Sequence, residues 1–370
     1  MLRKSVRMAM QICLAGMVAG AAFGQQAARM SQPQIVDGQL ETRAVGTNLS
    51  STVQQIESEG AGPLWIAYGV EEIAGERTVC CGNYNNGDNM GCGTCRLENE
   101  HGNTMSDRHS GGTMNLERGR QLVVLLRVAD KRVMKIRMAS DDCTLDAGGL
   151  RVVWLTGVKG EESVGLLTNY VRPEEVQRHG EHGLREQALT AMAMHADAAA
   201  DRAFASFVAP TQPQGLREKA SFWLGAARGE QGLALLKHMA KSDPSADVRE
   251  KVTFALYVSP ETSAVDEMIR MAHDDGSSHV RGQALFWLAQ KAGKKAAGAI
   301  TGAIDNDPDT EVKKKAVFAL SQMPKEEGVP KLIQVARTNK NPEVRKQAMF
   351  WLGQSNDPRA LEFFEKVLMQ

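Results

Sequence analysis

Long apolar runs are scarce in this chain of 370 residues. After the N-terminal two dozen residues, no segment reaches the ~18 consecutive apolar side chains of a membrane-spanning helix, so no later span is expected. Excess charge is missing too: 44 Lys and Arg balance 44 Asp and Glu. With no basic stripe, zinc finger or aromatic RNA motif, nucleic acid is not an expected partner. Lys313-Lys314-Lys315 is read as a solvated helix face. No G-x-S-x-G, Walker loop, H-E-x-x-H or dinucleotide-binding turn occurs. The eight His are scattered. His179 and His182 share a Gly-rich connection and read as a polar loop, and His238 and His273 occupy different places in the repeat described below. No catalytic residue, cofactor or metal is assigned. Enzymatic activity is left open and not favoured.

Cysteine is also sparse, six in all, and unevenly placed. Cys13 lies in a segment with the marks of a secretory signal: basic Arg3, Lys4 and Arg7, an apolar Ala- and Gly-rich stretch to Phe23, and a small-x-small site at Ala22-Phe23-Gly24. Residues 1–24 are therefore expected to be removed, leaving a soluble, exported chain. A bacterial periplasm or the medium is the expected location. Residues 25–60 read as linker, with one short helix through Leu49, Val53 and Ile56.

Residues 61–160 read as a small, mostly antiparallel β-domain. Leu64–Val70, Gln121–Val128, Arg132–Met138 and Leu150–Leu155 have strand character, and Ala129-Asp130-Lys131 is a hairpin-length connection. Cys80, Cys81, Cys92, Cys95 and Cys143 fall here. Export favours disulfides among them, two bonds with one thiol left over. Zinc is the next reading, since Cys92-Gly-Thr-Cys95 resembles half a site, but Cys80-Cys81 does not supply the other half. A redox pair is third, and it lacks a following helix to lower the thiol pKa. Asn83–Asn89 is read as a turn-rich loop and not as a calcium site. Residues 161–184, with a helix over Ser163–Tyr170, connect this domain to the rest.

From residue 185 onward one pattern recurs every 32 residues. Arg217, Arg249, Arg281, Lys313 and Arg345 each open a similar segment, with Arg185 one step back. A fixed period in this range signals stacked supersecondary units. Counting the basic residue as zero, positions −1, 3, 6 and 7 form an apolar helical stripe. Position −4 reads Ser245, Ser277, Asp309 and Asn341, all favourable helix N-caps. A second helix follows a short break, with Ser259-Pro260 and Asp357-Pro358 as cap and first-turn pairs. Position 5 is Phe in five copies and reads as inter-repeat packing. Position 6 alternates Ala and Trp (Ala191, Trp223, Ala255, Trp287, Ala319, Trp351), which reads as large-beside-small core packing.

The segments Asp307-Pro-Asp-x-Glu-Val312-Lys313-x-x-Ala316-x-x-Ala319-Leu320 and Asn341-Pro-Glu-Val344-Arg345-x-x-Ala348 resemble HEAT-like repeats. The likeness is to the short bacterial kind grouped with phycobilisome-lyase repeats. It covers residues 185–370 as six repeats. The resemblance implies a right-handed superhelix of helix pairs. It also implies a ladder in which the basic residue meets an Asp or Asn at −6 (Asp243, Asp275, Asp307, Asn339). Thr190 and Thr211 depart from the pattern, so the ladder is expected to start late. The expected fold is thus α+β multidomain, a β-domain followed by an all-α solenoid. Residues 161–370 are expected to fold alone through a join of one helix. The expected function is protein–protein binding or scaffolding through a concave face lined by second helices, with Asp266, Arg270, Gln334, Arg337, Glu362 and Lys366 as contact residues. A monomer binding an unidentified protein partner is expected; a lyase-like enzyme or thiol oxidoreductase of the cell envelope is the alternative.

Overall fold

A computed structural model describes residues 30–60, 62–74, 78–80, 83–85, 94–98, 121–171, 183–291 and 293–369. Residues 1–24, on which the expectation of export rests, and Cys81, Cys92, His179, His182 and residues 86–89 lie outside these. The sheet order is β1-β8-β2-β6-β7, where β1 is Ile35–Ala44, β2 Leu64–Glu71, β6 Gln121–Ala129, β7 Arg132–Ser140 and β8 Thr144–Thr156. The short β5, Thr94–Arg96, also pairs with β8, while β3 (Thr78–Cys80) and β4 (Asn83–Asn85) form a separate two-stranded ribbon.

Two expectations change here. The sheet is mixed and not mostly antiparallel, because β8 lies parallel to β1, β2 and β5. Antiparallel pairing is confined in this sheet to β2–β6–β7, whose last hairpin turns through Asp130 and Lys131 at φ 50 and 60°, the left-handed pair a two-residue turn demands. Residues 25–60 are not only linker. Ile35–Ala44 forms an edge strand, and Leu49–Ser58 is helix α1, capped by the Asn48 side chain. The edge strand eluded the sequence because its residues are mostly exposed and show little alternation.

Each sheet face has its own core. Ile66, Tyr68, Leu122, Val124 and Val153 point toward α1, toward α2 (Gly160–Val171) and toward the solenoid, in one continuous apolar cluster. Trp65, Ala67, Val123, Leu125, Val152 and Trp154 face the other way, onto Leu97, Leu145, Cys95 and Cys143. The solenoid is six helix pairs. Its first helices are α3 (Leu184–Met194), α5 (Gln214–Ala227), α7 (Ala246–Val258), α9 (Ser278–Lys291), α11 (Thr310–Gln322) and α13 (Pro342–Gln354). Its second helices are α4 (Ala198–Phe207), α6 (Gly229–Ser242), α8 (Ala264–Asp274), α10 (Gly293–Asn306), α12 (Lys325–Thr338) and α14 (Pro358–Leu368).

Local chemistry places the ends of these helices. Ser245, Asp309 and Asn341 accept first-turn N–H groups with their side chains, as does Asp357 ahead of Pro358. Ser259-Pro260 does not start α8. Its hydroxyl accepts from Glu261 N–H at 3.3 Å, and a tight turn delays the helix to Ala264. The apolar stripe is buried: Val248, Val252, Ala255 and Leu256 are each 0% exposed. Neighbouring first helices come close enough that a Cβ on Gly225 would collide with the Ala255 carbonyl.

The ladder differs from the one implied by resemblance. Arg217 reaches forward to Asp243 of the next repeat with two N–H groups at 2.8 and 3.1 Å. Arg249 pairs likewise with Asp275 (2.8 and 3.0 Å), and Arg281 with Asp307 (2.8 and 3.0 Å). The remaining nitrogen of Arg249 donates to the backbone carbonyl of its own −6 residue, Asp243, at 2.8 Å, and that of Arg281 does so to Asp275 at 2.9 Å. Each Asp also accepts the N–H two residues on, for example Ser277 N to Asp275 at 2.8 Å. One bidentate pair thus ties a repeat to its successor and closes the break between them. The ladder lapses at Lys313, whose ammonium donates to the Asp305 carbonyl.

The join to the β-domain is broader than one helix. His195, Ser163 and Tyr68 are fully buried where α2, α3 and β2 meet. His195 Nδ1 lies 2.7 Å from the Ala191 carbonyl, so it carries the proton; Nε2 then accepts from Ser163 Oγ at 2.8 Å. Ser163 has one proton, so Tyr68 donates to it across 3.0 Å. Backbone bonds Ile73 N to Met194 O (2.7 Å) and Ala196 N to Glu71 O (3.0 Å) complete the seam. Residues 161–370 are therefore cut from half of their first core layer if isolated.

Two outcomes are expected. Asp275→Ala strands the Arg249 guanidinium and a turn N–H, and should cost about 3 kcal/mol in urea unfolding; a loss under about 0.5 kcal/mol, the usual range for a surface substitution, would contradict the ladder's role. Burial, with a contribution from Arg228, pushes His195 down to about 4 from 6.5. Between those values the unfolded chain binds a proton that the folded chain refuses. Stability should therefore fall as pH drops from 6.5 to 4, by up to about 3 kcal/mol from this residue. His195→Gln should show a flatter pH profile over that window.

Candidate interaction face

The second helices bury the same three register positions in every interior repeat. Leu233, Val265, Ala297 and Val329 hold the first; Leu236, Met268, Ile300 and Leu332 the second; Ala240, Ala272, Ile304 and Ala336 the third. A helix that buries one stripe presents the opposite one to solvent. On that side, Ala234, Asp266, Gly298, Pro330 and Glu362 occupy one position and all are exposed. His238, Arg270, Gly302, Gln334 and Lys366 occupy the next, exposed or half-buried. The core positions repeat and the outward ones do not.

Each candidate contact residue lies on this stripe, but most are engaged by neighbours. Asp266 pairs with Lys295 of the next repeat at 2.6 Å. Arg270 bonds Glu267 at 2.7 Å, and Lys366 bonds Glu362 at 2.5 Å. The Lys366 ammonium holds the Glu362 carboxyl below its ordinary value. The Arg337 guanidinium sits 5.3 Å from the centre of the buried Phe363 ring. Gln334 lies in a separate shallow hollow with Glu327, Pro330 and Lys331. The six residues are therefore spread over three helices and do not form one cluster.

None of the six candidate residues lies on α10. Gly298 and Gly302 stand where α8 carries Asp266 and Arg270 and where α14 carries Glu362 and Lys366. Nothing lies within 4 Å of a Cβ built at either glycine. A cavity of about 540 Å³ opens there between α8 and α10, floored by Ile269, Ala299 and Ala303 and rimmed by His273, Lys295 and Asn306. The signal was available in the register: two glycines four apart, where α8 carries Asp266 and Arg270 and α14 carries Glu362 and Lys366.

Cys95 and Cys143 offer no exposed thiol. Cys95 is 0% and Cys143 1% exposed, and both are in disulfide linkage. A sulfur so enclosed does not meet a substrate thiol. No three His, Cys, Asp or Glu side chains gather to hold a metal among the described residues. No helix among them is long and apolar enough to cross a membrane.

Residues 265–349 and 297–370 match the family model for HEAT repeats, and the fold is a small mixed β-sheet domain followed by a HEAT-like solenoid. No curated protein matches the sequence. Among solved structures, it is similar to the CpcE–CpcF complex of phycocyanin lyase from Nostoc sp., at 17% identity. The match covers 54% of this chain and 79% of that one, with a TM-score of 0.31. Human deoxyhypusine hydroxylase in complex with glycerol is similar at 20% identity over 56% and 90% of the two chains, with a TM-score of 0.25. A Kap121p mutant is similar at 12% identity over 52% and 25%, with a TM-score of 0.32.

Because both glycines face open space within a helix, Gly298→Ala and Gly302→Ala should each raise stability, by about 0.5–1 kcal/mol. A higher urea midpoint checks this; a lower one would mean that the two positions are packed in solution.

Proposed function

We propose that this chain is an exported scaffold that binds a polypeptide partner on its second-helix face, with the cavity at α10 as the central contact. The observation that carries the reading is the break in outward chemistry at Gly298 and Gly302. Where α8 carries Asp266 and Arg270, α10 presents bare backbone, so a partner's bulky apolar side chain can seat against the helix. The rim of His273, Lys295 and Asn306 supplies polar contacts around an apolar floor, as protein interfaces do. This reading needs the second-helix face only, whichever way the stack curves. Export rests on the N-terminal residues 1–24, and it accords with disulfide chemistry in the β-domain.

Affinity capture with the full chain and with a Gly298→Asp/Gly302→Arg variant tests it. That variant carries the polar pair found on α8 and is expected to fold. One stoichiometric protein held by the unaltered chain and lost by the variant is the expected result; equal capture by both would defeat the assignment of α10. The intact mass of the chain expressed in a bacterial host should correspond to a start at Gln25. A mass that retains Met1 and the following residues would count against export.

A further inference from the structure

Alternate first helices of the solenoid end against a cation supplied by the following repeat. At the end of α3, the Arg228 guanidinium donates to the carbonyls of Ala193 at 3.1 Å and His195 at 2.6 Å. At the end of α7, the Lys291 ammonium donates to the carbonyls of Leu256 at 3.2 Å and Tyr257 at 2.6 Å, and also to that of Ser259. It also lies 6.0 Å from the centre of the Tyr257 ring. The acceptors correspond in register. Ala193 and Tyr257 stand eight residues after the basic residue opening their repeat, and His195 and Ser259 stand ten after it. The last carbonyls of a helix have no intrahelical partner and form the negative end of its dipole. A cation is the natural complement where that end is enclosed.

The end of α11 continues this alternation, with Ser321 and Met323 at the corresponding places. The following repeat, however, carries Ser355 where Lys291 stands and Asn356 where Arg228 stands. The Ser355 hydroxyl turns back to the Leu352 carbonyl of its own helix at 2.7 Å. The space is a cavity of about 210 Å³ lined by Leu320, Ser321, Met323, Trp351, Gln354 and Ser355. Lys325 also lines it and is exposed. That volume accommodates an ammonium group with its alkyl stem, and the Trp351 indole supplies an aromatic wall, as Tyr257 does for Lys291.

We propose that the cavity at the end of α11 binds a primary ammonium group, the head of a lysine side chain or of a small alkylamine. The carbonyls of Ser321 and Met323 accept from it, as those of Tyr257 and Ser259 accept from Lys291. This site lies between α11, α12 and α13, apart from the α10 cavity, and stands or falls independently of the partner proposed there.

Thermal unfolding of the full chain tests it. Near saturation, n-butylammonium chloride should raise the Tm by about 2 °C over equal sodium chloride, and n-butanol should give no such rise. Ser355→Lys supplies the cation from the chain itself, so it should raise the Tm of the free protein and abolish the response. Should that variant not fold, Ser355→Met fills the cavity without charge and should abolish the response alone. Lys325→Ala removes a like charge at the mouth and should enlarge the shift. A matching shift with Nα-acetyl-lysine amide, absent from its Nε-acetylated form, would support a lysine side chain as ligand; a shift with n-butylammonium alone would support a free amine. Equal effects of sodium chloride, butanol and n-butylammonium would overturn the proposal, as would a response that persists in Ser355→Lys, or in Ser355→Met.

Discussion

The forward-reaching Arg–Asp pair is the constraint on which the solenoid depends. Each guanidinium leaves its own helix and grips the carboxylate that shapes the next break, so the spacing between repeats and the conformation of the turn are set by the same two side chains. Such a pair contributes little net stability over an apolar substitute, yet it specifies register, because a slipped repeat would leave both charges buried and unpaired. The three complete rungs, from Arg217, Arg249 and Arg281, join repeats two to five. The next rung would need Lys313 and Asn339, which cannot form a bidentate charged pair. The ammonium cavity opens at this same joint, between α11 and α13, where the repeats are tied instead by Asn341 to Thr310 at 3.1 Å and by Arg359 to Glu326 at 2.8 Å.

A second, slower rhythm runs over the first. Phe222 stacks on Phe254 at 6.0 Å and Phe286 on Phe318 at 5.9 Å, while Trp287 and Trp351 pack on the Phe of the preceding repeat at 4.8 and 4.9 Å. The rings form one ribbon across repeats two to six. The alternating Trp is thus not on the fully buried stripe. Ala255 and Ala319 are buried completely, whereas Trp287 and Trp351 are half-buried and lean over the helix flank. Large and small still alternate, but the space being filled lies between repeats on the outer side of the first helices. The cations at the ends of α3 and α7 are likewise two repeats apart.

The first pair has no predecessor in the solenoid and borrows the β-sheet instead. Thr190 lacks the ring that Phe supplies elsewhere, and Thr211 lacks the carboxylate of a rung. In their place, Tyr68, Ser163 and His195 form a directed hydrogen-bond chain with no access to water, and Arg228 closes the end of α3. Ser163 and His195 at 2.8 Å have the contact of a nucleophile and its base, but both are 0% exposed and no substrate reaches them. Their work is to join two domains through one core.

The sequence by itself determined whatever is periodic or local. A 32-residue register, apolar residues on one helical stripe and N-caps at a fixed offset are consequences of chain-neighbour geometry, so they stand in the residue order. The hairpin at Asp130-Lys131 and the short helix through Leu49, Val53 and Ile56 are legible for the same reason. Tertiary structure decided what depends on residues distant in the chain. It placed β1 beside β8, since an exposed edge strand has little burial pattern to read. It sent Arg249 to Asp275 and not to its own −6 side chain, since either lies within reach of a flexible guanidinium. It also decided which faces stay open. Gly298, Gly302 and Ser355 are small residues in any sequence; only packed against α8 and α11 do they become cavities, because an opening is defined by the side chains around it.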